Sequence, residues 1–70
     1  MNISYNSESD LLYLRFDDKK SKLINKRVNE DIVLDIDENE RIVGIEILNA
    51  SERINLNKVL PVTHLKRKIA

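Results

Sequence analysis

The sequence predicts a mainly β protein, built as a small antiparallel β-meander of about four or five strands. A short helix or turn is expected after residue 49, and a helix or a tail at the C-terminal end. Three observations support this fold class. Apolar residues recur at every second position, clusters of Asn, Asp and Ser separate these runs, and one Gly and one Pro among 70 residues do not make a flexible linker.

Strands are predicted where short alternating runs lie between polar turns. Taken in order, these runs are residues 2–5, 11–17, 23–28, 32–36 and 41–48. The last run differs from the others because bulky apolar groups occur on both of its faces, which is typical of a central strand. Gly44 inside this run is typical of a bulge or of a close approach by another chain. A chain of this length has room for one domain, and we assign the β-meander to residues 1–54.

The chain after residue 49 changes from a strand-like to a helix-like pattern. Asn49 or Ser51 can cap a single helical turn. Residues 55–70 form a basic C-terminal segment in which Pro61 suits the first position of a helix. The apolar residues that would share one face of this helix are Val62, Leu65 and Ile69. We predict that the segment is either this helix or a frayed tail.

The small size of the chain predicts self-assembly. Ordering so short a chain costs roughly 100 kcal/mol, which apolar burial barely offsets, and without Cys no disulfide can help. Val43, Ile45 and Ile47 share one face of the last strand, opposite Ile42 and Leu48. Since both faces need cover, we predict a homodimer or larger assembly with Val43, Ile45 and Ile47 at its interface. It would form by packing of sheet faces or by exchange of the C-terminal segment.

Composition argues against several classes of function. The 12 basic and 12 acidic residues give zero net charge, which does not suit a general nucleic-acid binder. The absence of Cys and the single His argue against thiolate and His-rich metal sites, so no metal or cofactor is expected. No apolar run approaches a membrane span and no signal-peptide pattern begins the chain, so we expect a cytoplasmic protein. No set of nucleophile, base and orienting group can be assembled, and we therefore predict that the protein is not an enzyme.

Three motifs follow one another in a recognisable order. Tyr5 precedes DLLYLRF at residues 10–16, which is followed by VLDID at 33–37 and IVGIEILNAS at 42–51. Together they resemble the domain of unknown function 2283 (DUF2283) family of very small prokaryotic proteins, over residues 1 to about 54. The resemblance implies a compact β-rich fold and no established activity. Some members are thought to be encoded beside small toxin-like proteins, which makes an antitoxin-like role conceivable.

The chain departs from this family in the turn before the last strand. The family commonly has Gly there, and this chain has Asn39 and Glu40. Because Asn tolerates a left-handed backbone conformation, we expect the turn to survive.

Charge is segregated along the chain. Residues 30–40 hold six acids and no base, whereas residues 53–70 hold five bases and no acid. Such segregation creates a local field that can steer association. The acids predicted to contact a partner are Asp35, Asp37, Glu38 and Glu40. The other interpretation is that both clusters are simply solvated and keep the protein soluble.

The leading functional prediction is a non-catalytic protein-interaction module, in its most specific form an antitoxin-like partner of a small basic toxin. The alternative is a small-ligand or metal-binding protein that uses the acidic hairpin at residues 35–40. Asp35, Asp37, Asn39 and Glu46 do have the spacing of a calcium-binding EF-hand loop. However, Glu40 occupies the position that requires Gly, and the flanks are strand-like, so we predict no tight calcium binding.

Glu46 is an acid inside the most apolar strand. A carboxylate is costly to bury unless it is paired. We predict a structural ion pair with a base on a neighbouring strand, namely Arg15, with Arg53 as the other candidate. The functional alternative is a general acid or base in a pocket.

Overall fold

The computed structural model describes residues 1–18 and 22–59, which form one antiparallel sheet followed by two short helices. The elements in chain order are β1 (Asn2–Asn6), β2 (Leu11–Arg15), β3 (Ile24–Arg27), β4 (Ile32–Ile36), β5 (Ile42–Leu48), α1 (Ala50–Arg53) and α2 (Leu56–Val59). The predicted fold class is therefore confirmed, including the helix after residue 49. The helix predicted from Pro61 lies outside the described residues. Across the part of the chain that the structure describes, no helix is both long and apolar enough to cross a membrane.

The strands do not lie in the order of the chain. Their order across the sheet is β1-β2-β5-β4-β3, so the last strand is inserted between β2 and β4. The chain leaves β2 and resumes the sheet at its far edge with β3, and only β3, β4 and β5 follow one another as a meander. β5 is thus the central strand that its two apolar faces predict.

Each of the three hairpin turns is held by a side chain at its start. The Asn6 Oδ1 accepts hydrogen bonds from the main-chain N–H groups of residues 8 and 9. The Asn29 Oδ1 accepts them from residues 31 and 32, and the Asp37 Oδ1 from residues 39 and 41. Asn and Asp side chains can replace main-chain turn bonds in this way, which explains why polar clusters separate the strands.

The turn before β5 survives without Gly, but a different residue from the expected one takes the left-handed conformation. Glu40 has a φ of 63°, whereas Asn39 is not among the residues with positive φ. The left-handed region brings a Cβ too close to the following carbonyl oxygen, so a Glu there stores strain that Gly would not.

The core lies between the two helices and one face of the sheet, which we call the helix-covered face. Leu12 on β2 and Ala50 on α1 are fully buried, and Ile47 on β5 joins them. The partly buried residues that surround this cluster are Tyr5, Leu14, Ile45, Ile54, Leu56 and Val59. Cross-strand register places Leu12 opposite Ile47, so the apolar faces of β2 and β5 coincide. The other side of the sheet, which we call the open face, carries the polar groups described next.

Candidate functional site

A cluster of polar side chains occupies the open face of the sheet. Tyr13 on β2 lies directly opposite Glu46 on β5, and Asp35 on β4 lies opposite Gly44 on β5. Asn25 on β3 is the cross-strand neighbour of Asp35. We call Tyr13, Asn25, Asp35 and Glu46 the polar cluster. It spans four adjacent strands because directly opposite residues of antiparallel strands project to the same side.

Gly44 allows the Tyr13 side chain to reach across β5. A Cβ atom at position 44 would lie 2.5 Å from the Tyr13 hydroxyl oxygen and 2.9 Å from its Cζ. The tyrosine hydroxyl donates to Asp35 Oδ2 at 2.9 Å on the far side. The predicted close approach to this glycine therefore comes from the same chain, and the predicted bulge lies beside it, where the register of β4 and β5 shifts at Ile36.

Asp35 is buried and both of its carboxylate oxygens accept hydrogen bonds. Asp35 is 6 % exposed. Its Oδ2 accepts a hydrogen bond from the Tyr13 hydroxyl, and its Oδ1 accepts one from the Asn25 side-chain amide at 2.5 Å. The hydroxyl of Tyr13 in turn accepts a hydrogen bond of 3.4 Å from Arg15 Nη1. Burial, followed by the bond to Asp35, raises the pKa of Tyr13. These contacts satisfy a buried carboxylate, which otherwise strongly destabilises a fold.

Glu46 adds a second carboxyl group to the polar cluster. Burial raises the pKa of Glu46, and the charge of Asp35 and a hydrogen bond to Asp35 raise it further, whereas the charge of Arg27 lowers it. Glu46 can therefore hold a proton above the usual pH range for a Glu side chain. The raised pKa is compatible with the interpretation of Glu46 as a general acid or base. Catalysis would also need space beside Glu46 for a reacting atom.

The predicted ion pair between Glu46 and Arg15 stays a prediction. The two residues lie on the open face of neighbouring strands, and Arg15 is opposite Gly44. Arg15 donates from Nε to the main-chain oxygen of Asp17 and from Nη1 to Tyr13. The other candidate, Arg53, forms an ion pair with Asp31, with 2.6 Å between Nη2 and Oδ2.

The four acids predicted to contact a partner are divided by the fold. Asp35 belongs to the polar cluster, and Asp37 is 4 % exposed with Oδ1 bonded to two main-chain N–H groups of its turn. Glu38 and Glu40 are exposed at the tip of the turn. Glu38 and Glu40 are thus the accessible members of this set, and contact with a partner stays a prediction for all four acids. Among residues 1–18 and 22–59, no three His, Cys, Asp or Glu side chains are grouped so that they could hold a metal ion.

The residues predicted for an oligomer interface lie on β5 within the chain's own core. Val43 is 1 % exposed and Ile47 8 %, while Ile45 is half-buried. Ile45 and Ile47 belong to the core cluster that includes residues of α1 and α2. Self-association through Val43, Ile45 and Ile47 stays a prediction, and it would require the chain to expose these residues, for example by exchange of the C-terminal segment.

A second polar cluster, which the sequence analysis did not identify, ties α1 to the sheet. The Asp10 carboxylate accepts hydrogen bonds from the Tyr5 hydroxyl at 2.7 Å, from the Ser51 hydroxyl at 2.7 Å and from the Ser51 main-chain N–H at 3.0 Å. The bonds to Tyr5 and Ser51 lower the pKa of Asp10, and the bond to Asp10 raises the pKa of Tyr5 to about 12. In the sequence, the one indication of this cluster is that Tyr5, Asp10 and Ser51 all belong to the motifs that resemble the DUF2283 family.

Comparison with known proteins agrees with the fold and adds no activity. The model of a family described as "Protein of unknown function (DUF2283)" matches residues 2–51. The uncharacterized protein MJ0789 of Methanocaldococcus jannaschii is 46% identical over 57 residues, which are 80% of this chain and 47% of that protein. The chain thus spans about half the length of this relative, and no solved structure matches it. On this evidence the chain belongs to the DUF2283 family of proteins of unknown function.

Proposed function

We propose that the protein is a non-catalytic interaction module that binds another protein at one end of its sheet. The main-chain N–H of Phe16, just after β2, donates to the main-chain oxygen of Val43 near the start of β5. Ile36, at the end of β4, pairs with Ile42 at the start of β5 and with Ile24 at the start of β3. Phe16, Ile42 and Ile24 therefore lie at the same end of the sheet. We call these three residues the end row.

The exposure of the end row carries this proposal. Phe16 is 44 % exposed, Ile42 47 % and Ile24 59 %. A single exposed apolar side chain is ordinary, but several at one end of a small protein are typical of a surface that another protein covers. The polar cluster, by contrast, is occupied by its own hydrogen bonds and supports the fold.

The chemistry beside the end row favours a basic partner. The turn that carries Glu38 and Glu40 joins β4 to β5, and so begins next to Ile36 and ends next to Ile42. Exposed apolar side chains bordered by Glu38 and Glu40 suit a partner with an apolar surface and basic neighbours, because rim charges steer the encounter. The exposed Arg41 between this turn and Ile42 narrows the acidic surface to Glu38 and Glu40 themselves. Small toxins that cleave nucleic acid are typically basic because they must attract RNA, and the antitoxin-like role is the specific form of this proposal.

Purification of partners with matched bait variants tests the proposal. The wild-type chain, a Phe16→Ser/Ile24→Ser double variant and a Val28→Ser control are used as baits in the native host. Val28 is 56 % exposed but follows the opposite end of β3. We expect a protein that the wild type and the control recover and the double variant does not. Binding of that protein, once purified, should weaken at least tenfold in the double variant. Equal recovery by all three baits would contradict the proposal.

Charge reversal at the turn tests the specific form. With Glu38 and Glu40 changed to Lys, the association rate with a basic partner should fall, and the wild-type rate should decrease as salt is added. An unchanged association rate would leave the end row as the binding surface and remove the case for a basic partner.

A further inference from the structure

β1 is an outer edge of the sheet and carries no charged side chain. Its sequence is Asn-Ile-Ser-Tyr-Asn over residues 2–6, and every residue except Tyr5 is exposed. Within residues 1–18 and 22–59, it pairs only with β2. The register with β2 is regular over all five residues. Edge strands expose unpaired N–H and C=O groups, and proteins usually protect them with charges, prolines or bulges. β1 has none of these protections.

The opposite edge of the same sheet is protected. β3 has four residues, two of which are Lys26 and Arg27, and Lys22 precedes it. A second strand that approached β3 would meet these charges, and a second copy of β3 would bring like charges together. The two edges of the described sheet therefore differ in kind, and β1 is the one that carries no charge against strand addition.

The side chains of β1 are complementary to themselves about Ser4. In an antiparallel pair of two β1 strands centred on Ser4, Ile3 lies opposite Tyr5 of the second copy, and Asn2 lies opposite Asn6 of the second copy. Register with β2 puts Ile3 and Tyr5 on the helix-covered face, where they are opposite Leu14 and Leu12. Apolar groups would therefore meet apolar groups on that face, and amides would meet amides on the open face.

We propose that two copies of the chain join through β1, antiparallel and two-fold symmetric about Ser4, to form one continuous sheet. The pairing adds roughly four to six main-chain hydrogen bonds. It also covers Ile3, which is 37 % exposed in the single chain, with an aromatic ring, and aromatic with β-branched pairs are favourable across strands. The interface is small, so we expect a dissociation constant in the micromolar range. This surface is separate from the end row and does not depend on its proposed function.

Charges placed on the two-fold axis test the pairing. A Ser4→Lys or a Ser4→Glu substitution sets two like charges side by side in the dimer, whereas Ser7→Lys adds the same charge in the exposed turn after β1. By sedimentation equilibrium, wild type and Ser7→Lys should dimerise, and each Ser4 variant should dimerise at least tenfold more weakly. A mixture of the Ser4→Lys and Ser4→Glu chains should dimerise again, because opposite charges then meet. Circular dichroism shows whether each variant is folded.

Disulfide cross-linking tests the register, since the chain has no Cys of its own. Opposite residues of an antiparallel pair have Cα atoms about 4.5–5.5 Å apart, within the range of a disulfide. Ser4→Cys should therefore form a covalent dimer under mild oxidation. Asn2→Cys is the control on the same edge. Position 2 of one copy lies opposite position 6 of the other, so the two introduced sulfur atoms would be about 14 Å apart and could not form a disulfide.

Three results would overturn the proposal. One is a wild-type chain that stays monomeric over a hundredfold range of concentration up to about millimolar. Another is a dimer that Ser4→Lys leaves unchanged, above all if Ile24→Ser disrupts it, since copies would then associate through the end row. The third is equal cross-linking of the Ser4→Cys and Asn2→Cys chains.

Discussion

Replacing Gly44 with Ala is expected to destabilise the protein by about 1–2 kcal/mol. The added methyl group would lie 2.5 Å from the Tyr13 hydroxyl oxygen and 3.0 Å from the main-chain oxygen of Leu14. The tyrosine ring must therefore move away, and its hydrogen bond to Asp35 is lost. A hydrogen bond to a charged group is worth about 1.5–3 kcal/mol. The greater chain entropy of Gly in the unfolded state offsets roughly 0.5–1 kcal/mol of that loss.

A double-mutant cycle with Tyr13→Phe isolates this contact. The Phe variant lacks the hydroxyl, so the bond to Asp35 is already absent and Gly44→Ala should cost less in that background. Urea unfolding of the four chains at one fixed protein concentration gives the coupling energy, which we expect to be about 1 kcal/mol. A coupling near zero, or a Gly44→Ala chain at least as stable as wild type, would show that Gly44 does not make room for the hydrogen bond between Tyr13 and Asp35.

Three further substitutions probe strain and charge. Glu40→Gly should stabilise the protein by about 1 kcal/mol in urea unfolding because the left-handed strain disappears; Glu38→Gly, at a position without positive φ, should not stabilise it. The pKa of Glu46 is raised, so its stabilising contribution is complete below pH 4.5 and is lost as pH rises through the folded-state value. Glu46→Gln should consequently gain stability relative to wild type between acidic and neutral pH, and a pH-independent difference would contradict this. The pKa of Asp10 is lowered, so its contribution is present above pH 3.8 and is lost as pH falls through the folded-state value. Asp10→Asn should therefore show a flatter acid unfolding curve by circular dichroism, and a curve as steep as that of wild type would argue against the Asp10 cluster.

The strands were predictable because their signals are local. Alternation within four to seven residues defines each strand, and turn residues such as Asn6 and Asn29 accept hydrogen bonds from N–H groups two or three positions away. The strand order was not predictable in this way. Placing β5 beside β2 depends on contacts between residues more than 30 positions apart, such as Leu12 with Ile47, and alternation holds no information about them.

For the polar residues too, the sequence reveals which residues are unusual, but not which residues surround them in the fold. The sequence identified Glu46 as an acid in an apolar strand, but the residues that surround it are decided by strand order, which places Asp35 and Tyr13 across β5. Likewise, Asp37 and Glu38 are neighbours of the same charge in the sequence, yet one is buried in its turn and the other exposed. The direction of each side chain in a turn depends on main-chain conformation, which residue type alone does not determine.

The position of β5 has a consequence for the synthesis of the chain. Ribosomes make β1 through β4 first, and these strands can form two separate hairpins, β1 with β2 and β3 with β4. An isolated two-stranded hairpin is at best marginally stable in water. The hairpins can join only when residues 42–48 have left the ribosome, because β5 supplies the strand between them. The nascent chain thus carries two unsupported hairpins until β5 is available, and a chain truncated before residue 42 cannot form the five-stranded sheet.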